Sequence, residues 1–220
     1  IADTSHWFLK RRGIAVALIA SGNYFSGAIW PPLFNSALQS DGWRDVYGIL
    51  AIATIFIMIP LSFLLTKKIS EETSRASDAA SENRRSSVNI SPRMLTILLS
   101  IAGVGCCVAM SMPQVHIVAF CIDLGYGPAV GAEMLSLMLI GGIVSRLING
   151  LLADKLGGVY TLLIGSTLQC IALFLYLPFD GLVSLYIVSA VFGLSQGGIV
   201  PSYAIIIREY LPGAQAGTRV

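Results

Sequence analysis

Charge is what this sequence has little of. Only 12% of its 220 residues are Asp, Glu, Lys or Arg, against 55% hydrophobic, whereas a water-soluble domain carries about 25% charged residues. No charged residue occurs in residues 14–40, 46–66, 94–122, 156–179 or 181–207. A helix needs about 20 apolar residues to cross the roughly 30 Å of membrane hydrocarbon, and each of those stretches is long enough. A sixth, residues 129–153, reaches the length while holding Glu133 and Arg146. The alternation over about 10 positions that marks a barrel strand is missing. A continuous apolar segment satisfies its own backbone in lipid only as a helix, so the expectation is an all-α membrane protein with six spans and the lipid bilayer as its solvent.

Other absences remove whole classes of function. There are two histidines, His6 and His116, and four cysteines, Cys106, Cys107, Cys121 and Cys170, lying in or beside apolar stretches. Their spacing fits neither a metal site nor a disulfide framework. No phosphate-cradling glycine loop, HExxH or nucleophile elbow occurs. An enzyme working at membrane depth needs a nucleophile with a base, or a pair of acids, and the spans contain neither. We therefore expect no catalysis, no cofactor, no metal and no nucleic-acid partner. The opening IADTSHWFLKRRG has no initiating Met and no signal-peptide core, while the final GAQAGTRV reads as the middle of a loop. The chain reads as a piece of a larger protein.

The charges that are present alternate along the chain. Lys10, Arg11 and Arg12 precede the first span, and residues 66–93 hold Lys67, Lys68, Arg75, Arg84, Arg85 and Arg93. Lys155, Arg208 and Arg219 fall at later connections of the same parity, so 12 of the 14 basic residues share one side. Arg44 alone lies on the other, and Arg146 lies within a span. Positive connections stay cytoplasmic, which puts both ends of the chain and the 66–93 segment in the cytoplasm of a multi-pass protein of the cell (inner or plasma) membrane. That segment has seven serines and ten charged residues, too little apolar surface to offset its ordering entropy. It separates residues 1–65, with spans near 14–38 and 43–65, from residues 94–220, with spans near 94–118, 129–153, 158–178 and 182–207.

Within the spans small residues recur: Gly22, Ser26 and Gly27, then Gly103, Gly105, Gly141 and Gly142, then Gly193 with Gly197. They let helix backbones approach where lipid removes any hydrophobic drive to associate. Pro31, Pro32, Pro113 and Pro201 each free a carbonyl and bend a helix. Arg146 stands eight residues before Asp154, about 12 Å along the axis against a half-thickness of about 15 Å. An arginine at that depth costs about 2.5–3.5 kcal/mol on insertion scales. It either turns inward to a partner or lifts its head toward the cytoplasm along its flexible stem. Glu133 lies 13 residues away on the same helix and cannot pair with it. Its counter-charge then comes from elsewhere, and the planar fork of the guanidinium suits a carboxylate. Gly142 and Asn149, at i−4 and i+3, share its face.

The run GGIVSRLINGLLADKLGG at 141–158 resembles the loop signature of the major facilitator superfamily, roughly GxLaDrxGrr, in its second copy. Gly150, Ala153, Asp154, Lys155 and Gly157 match, while the final basic pair is Gly158 and Val159. The first span with the DGWR that follows it resembles helix 5 of that superfamily, and residues 208–217 resemble the connection to helix 11. The resemblance covers the whole chain as helices 5 to 10 of twelve, with residues 66–93 as the central loop. The spacing of Arg146, Gly150, Ala153 and Asp154 is similar to the monocarboxylate transporter and oxalate/formate antiporter groups, and it implies a substrate-binding arginine at 146. Gly142 stands where the animal monocarboxylate carriers have an aspartate, and the helix 5 antiporter signature is met only loosely by Gly22, Gly27 and Pro31.

The resemblance implies a secondary transporter that moves a small organic anion, with a proton as candidate coupled ion, by alternating access. Arg146, Asn149, Gln114, His116 and Gln196 are the candidate substrate-binding residues. Gly150, Asp154, Lys155 and Gly157 form the gating loop signature. Ser195, Asn23 and Tyr24 are further polar candidates. A drug or sugar carrier, with Arg146 paired to an acid on another helix, and a non-transporting membrane sensor of the same fold remain the alternatives.

Overall fold

The computed structural model describes residue 8, residues 11–40, 42–64, 75, 79 and 90–211, with the side chains of 30–40 and 64 left aside. Most of the 66–93 connection and the last nine residues lie outside that set. Seven helices are described: α1 (Arg12–Ser40), α2 (Gly42–Leu64), α3 (Pro92–Asp123), α4 (Pro128–Leu156), α5 (Gly158–Leu175), α6 (Leu182–Gln196) and α7 (Ile199–Tyr210).

Among the described residues five helical segments are long and apolar enough to cross a membrane: Gly42–Phe63, Pro92–Asp123, Pro128–Leu156, Gly158–Leu175 and Leu182–Tyr210. The last is α6 and α7 together. α1 is a helix of 29 residues, and on its described part Ser21 and Tyr24 are buried against the rest of the bundle.

Local chemistry explains the helix ends. Ser91 caps α3 by accepting from the Met94 amide at 3.2 Å, with Pro92 in the first helical position. α3 then runs on to Asp123, since nothing stops it before Gly125, whose φ of +81° an L side chain rarely adopts. α4 ends and α5 begins at Gly157, φ +86°, which leaves no room for a connecting loop. The stretch 182–207 is interrupted. Both Gly197 and Gly198 keep near-helical angles, so the chain hardly turns there. Pro201 has no amide hydrogen for the carbonyl four residues back, which is that of Gly197.

α4 is the centre of the bundle. It packs along α1 on one side and along α6 and α3 on the others, while α5 closes against α6 and α7. Its buried residues, Gly131, Met134, Met138, Gly142, Ser145, Arg146, Gly150 and Ala153, recur every three or four positions and so form one stripe. The apolar core joins Ile117 and Cys121 of α3, Met134 and Met138 of α4, Ala172 of α5, and Leu185 and Phe192 of α6. α2 contributes little to it and presents residues such as Phe56 and Phe63 outward.

Candidate functional site

Close approach of backbones builds the site. A methyl group at Gly193 would lie 2.8 Å from the Met138 Cα, and one at Gly197 would lie 3.0 Å from the Arg146 nitrogen. α6 therefore rests directly on α4 where α6 ends. On the opposite flank a methyl group at Gly142 would lie 2.8 Å from Cε2 of Tyr24, so the absence of a side chain there makes a notch for the tyrosine ring of α1.

Arg146 lies between those two contacts and is 3% exposed. It turns inward. Its Nε donates to the Gly197 carbonyl at 3.0 Å, the acceptor that Pro201 leaves without an amide hydrogen. Its Nη1 donates to the Ala20 carbonyl of α1. The Tyr24 ring covers one face of the guanidinium, 3.9 Å from ring centroid to Cζ. Among the described residues no carboxylate acts on it. A hydrogen bond from a charged group is worth about 1.5–3 kcal/mol and a desolvated cation–π contact about 2 kcal/mol. Two such bonds and the ring contact together, about 5–8 kcal/mol, more than offset the cost of about 2.5–3.5 kcal/mol for an arginine at the bilayer centre. They stabilise the cation but leave its full positive charge uncancelled.

A polar ring continues from there. Tyr24 donates to Met110 Sδ of α3 at 3.5 Å, with Gln114 of α3 beside it. Gln114 Nε2 donates to Gln196 Oε1 of α6 at 3.0 Å, and Gln196 adjoins Gly197, the acceptor for Arg146. Gln196 is fully buried, yet its Nε2 has no partner among the described residues. Four helices thus converge on one polar spot within an apolar bundle.

Four of the candidate residues, Arg146, Gln114, Gln196 and Tyr24, fall in this ring. Asn149 lies one turn along α4, where its amide donates to Ser145 O at 2.8 Å and Ser145 Oγ at 3.1 Å; Gly198 packs directly on it. His116 is two residues from Gln114, about 200° around the helix, exposed and outside the ring. Asn23 is exposed as well, and Ser195 turns its hydroxyl back to Phe192 O at 2.8 Å. Glu133 accepts from the Tyr186 hydroxyl, far from Arg146.

The loop-signature residues lie at the other end of α4. Asp154 accepts from the amides of Gly13 at 2.6 Å and Ile14 at 3.1 Å. These are among the first amides of α1, which have no partner within the helix, and a carboxylate there is also favoured by the helix dipole. Gly150 faces α1 with 3.0 Å between its would-be methyl and the Gly13 carbonyl. Lys155 is exposed. A second carboxylate, Glu209 of α7, accepts from the Gly158 amide at 3.1 Å, at the start of α5. An apolar cavity of about 340 Å³ between α3, α5 and α7, lined by residues such as Leu95, Leu163 and Ile206, has almost no polar lining with which to bind an anion.

Sequence reasoning missed the partners of Arg146, because two are backbone carbonyls and the third is an aromatic ring from a helix more than a hundred positions away. One signal was available. Pro201 stands four residues after Gly197, and an orphaned carbonyl at membrane depth demands a donor.

The chain is 26% identical over 212 residues to monocarboxylate transporter 13 of Rattus norvegicus, covering 95% of this chain and 48% of that protein. It is 25% identical over 162 residues to the MFS-type transporter pytF of Aspergillus terreus, covering 71% of this chain and 51% of that one. With the agnestins efflux protein AgnL12 of Paecilomyces divaricatus it shares 26% identity over 204 residues, 91% of this chain and 45% of the relative. The chain spans about half the length of these curated relatives. The family model described as the Major Facilitator Superfamily matches residues 2–220; with its apolar spans and glycine-mediated helix contacts, this chain belongs to that superfamily as an integral, multi-pass membrane protein.

Proposed function

We propose that this chain is the middle of a secondary transporter for a small organic anion, most simply a monocarboxylate, and that Arg146 binds the anion's carboxylate. The observation that carries this reading is a buried guanidinium whose charge is stabilised by carbonyls and a ring but balanced by no acid among the described residues. A carboxylate cancels that charge, and the planar fork offers it two parallel hydrogen bonds. The likeness to a monocarboxylate transporter supports the choice of substrate.

Alternating access follows from where the partners of Arg146 lie. In this reading α1 and α2 belong to the first half of the carrier and α3 to α7 to the second, with residues 66–93 as the cytoplasmic connection and both ends of the chain cytoplasmic. Arg146 then holds the first half through Ala20 and Tyr24 and the second through Gly197. Two halves rocking about a midplane site must remake those contacts, and a neutralising anion lowers the cost of doing so. Asp154 on the start of α1 holds the cytoplasmic side closed, with Gly150, Lys155 and Gly157 shaping that end. Asn149 and Gln196 frame the site, and a coupled proton is carried outside position 142, which has no side chain to protonate.

Uptake of labelled monocarboxylates by the full-length protein in proteoliposomes tests the reading. Arg146→Ala is expected to abolish uptake. Arg146→Lys, which keeps the charge but not the fork, is expected to raise KM by about tenfold or more, the equivalent of about 1.4 kcal/mol. Uptake unaltered in both variants would sink the proposal. A carrier of another solute, a drug or sugar, predicts instead that monocarboxylates are neither carried nor competitive; one relative is named an efflux protein.

A further inference from the structure

Tyr24 is clamped on three sides, and the clamp concerns the arginine more than the packing. Its ring is 5% exposed. One side rests in the notch at Gly142, one face covers the Arg146 guanidinium, and the hydroxyl is tied to Met110 of α3. With Nε and Nη1 bonded to carbonyls on either flank, the covered face is closed to any ligand. An anion can reach the guanidinium only through its remaining in-plane donors, and whatever is attached to the carboxylate must fit beside the ring.

We infer that Tyr24 is the specificity-determining residue of the anion site, limiting the bulk that the anion carries next to its carboxylate, and that Gly142 is the position that admits it. The inference rests on the carboxylate reading of Arg146 and extends it. Three helices fix the ring, so it cannot step aside for a larger ligand without losing the Met110 bond and the cation–π contact together. The notch is equally specific. A single methyl at 142 displaces the ring from the guanidinium, whereas with no ring opposite it the three atoms nearest to that methyl are all gone.

The test uses the full-length protein in proteoliposomes and compares uptake of acetate with that of benzoate, a bulkier monocarboxylate. In Tyr24→Ala the ratio of kcat/KM for benzoate to that for acetate should rise by about tenfold or more, since even one methylene of pocket space is worth about 10–200-fold. Tyr24→Phe keeps the ring and should keep the wild-type ratio, whatever happens to KM. Gly142→Ala should lose most acetate uptake, and Gly142→Ala with Tyr24→Ala should regain it. The recovery separates collision with the ring from a general failure of α4 to pack. Acetate uptake with an unchanged ratio in Tyr24→Ala, or no recovery in the double variant, overturns the role of Tyr24 while leaving Arg146 as the anion site. Absence of uptake of either acid by the wild type overturns both.

Discussion

A guanidinium in the middle of an apolar bundle has to be stabilised by something, and the choice of partner decides what the residue can do. Paired to a carboxylate, Arg146 would be neutral and closed. Held by two carbonyls and a ring, it remains a net positive charge with further donors. Gln196 shows the same incompleteness, since its buried Nε2 lacks a partner while its Oε1 is used. An unmade hydrogen bond on a buried amide costs about 1–3 kcal/mol, and such a cost persists where a ligand recovers it. Gln196→Met should therefore change the melting temperature in detergent by only a few degrees, because losing the Gln114 bond offsets removing the orphaned amide. Uptake should fall in the same variant. A large drop in melting temperature without loss of uptake per folded molecule would make Gln196 a packing residue.

At the scale of elements, α6 and α7 form one span with its hydrogen bonding interrupted at Gly197 and Gly198. Pro201 creates the vacancy, and the Arg146 side chain from α4 fills it at 3.0 Å. The interruption is thus held by a group that can be drawn away, unlike a bend satisfied within its own helix. Pro201→Ala returns an amide hydrogen to the Gly197 carbonyl, which should stabilise the span, since a proline inside a helix costs about 3 kcal/mol. The expected outcome is a higher melting temperature together with slower turnover, because Arg146 loses one of its two anchors. A variant that is more stable and equally fast would show that the interruption is incidental to transport.

For the molecule as a whole, α1 lies against α4 from Gly13 beside Asp154, through Tyr24 at Gly142, to Gly27 near Leu139. The contact runs about 21 Å along α1. The Asp154 end depends on a single carboxylate accepting from two amides, an interaction worth about 0.3–1 kcal/mol, and up to about 2 in a partly buried setting. A contact of that size biases an equilibrium between two shapes without locking it. Asp154→Ala should raise the labelling rate of a cysteine placed at Ala17, which is fully buried, by a water-soluble maleimide added from the side of the basic connections. Asp154→Asn, which can still accept one of the two amides, should fall between. Equal labelling in all three proteins would remove the latch role.

Much of this was legible in residue order, and the reasons are local. Charge-free stretches of twenty or more residues can only be apolar helices in lipid, and the 141–158 run carries a recognisable loop. The place of Arg146 within a span followed from its distance to Asp154. The inward turn of its side chain did not, because a flexible stem two turns from a helix end can go either way. Nor did the separation of Gln114 from His116, since which face of α3 looks inward depends on neighbours rather than on periodicity in a helix apolar all round. By itself the sequence determined the solvent and the presence of one costly charge within an apolar span. Only the tertiary structure decided that this charge is held by a proline-freed carbonyl and an aromatic ring, because those partners come from helices remote in sequence and meet it only where glycines at 142 and 197 let the backbones close.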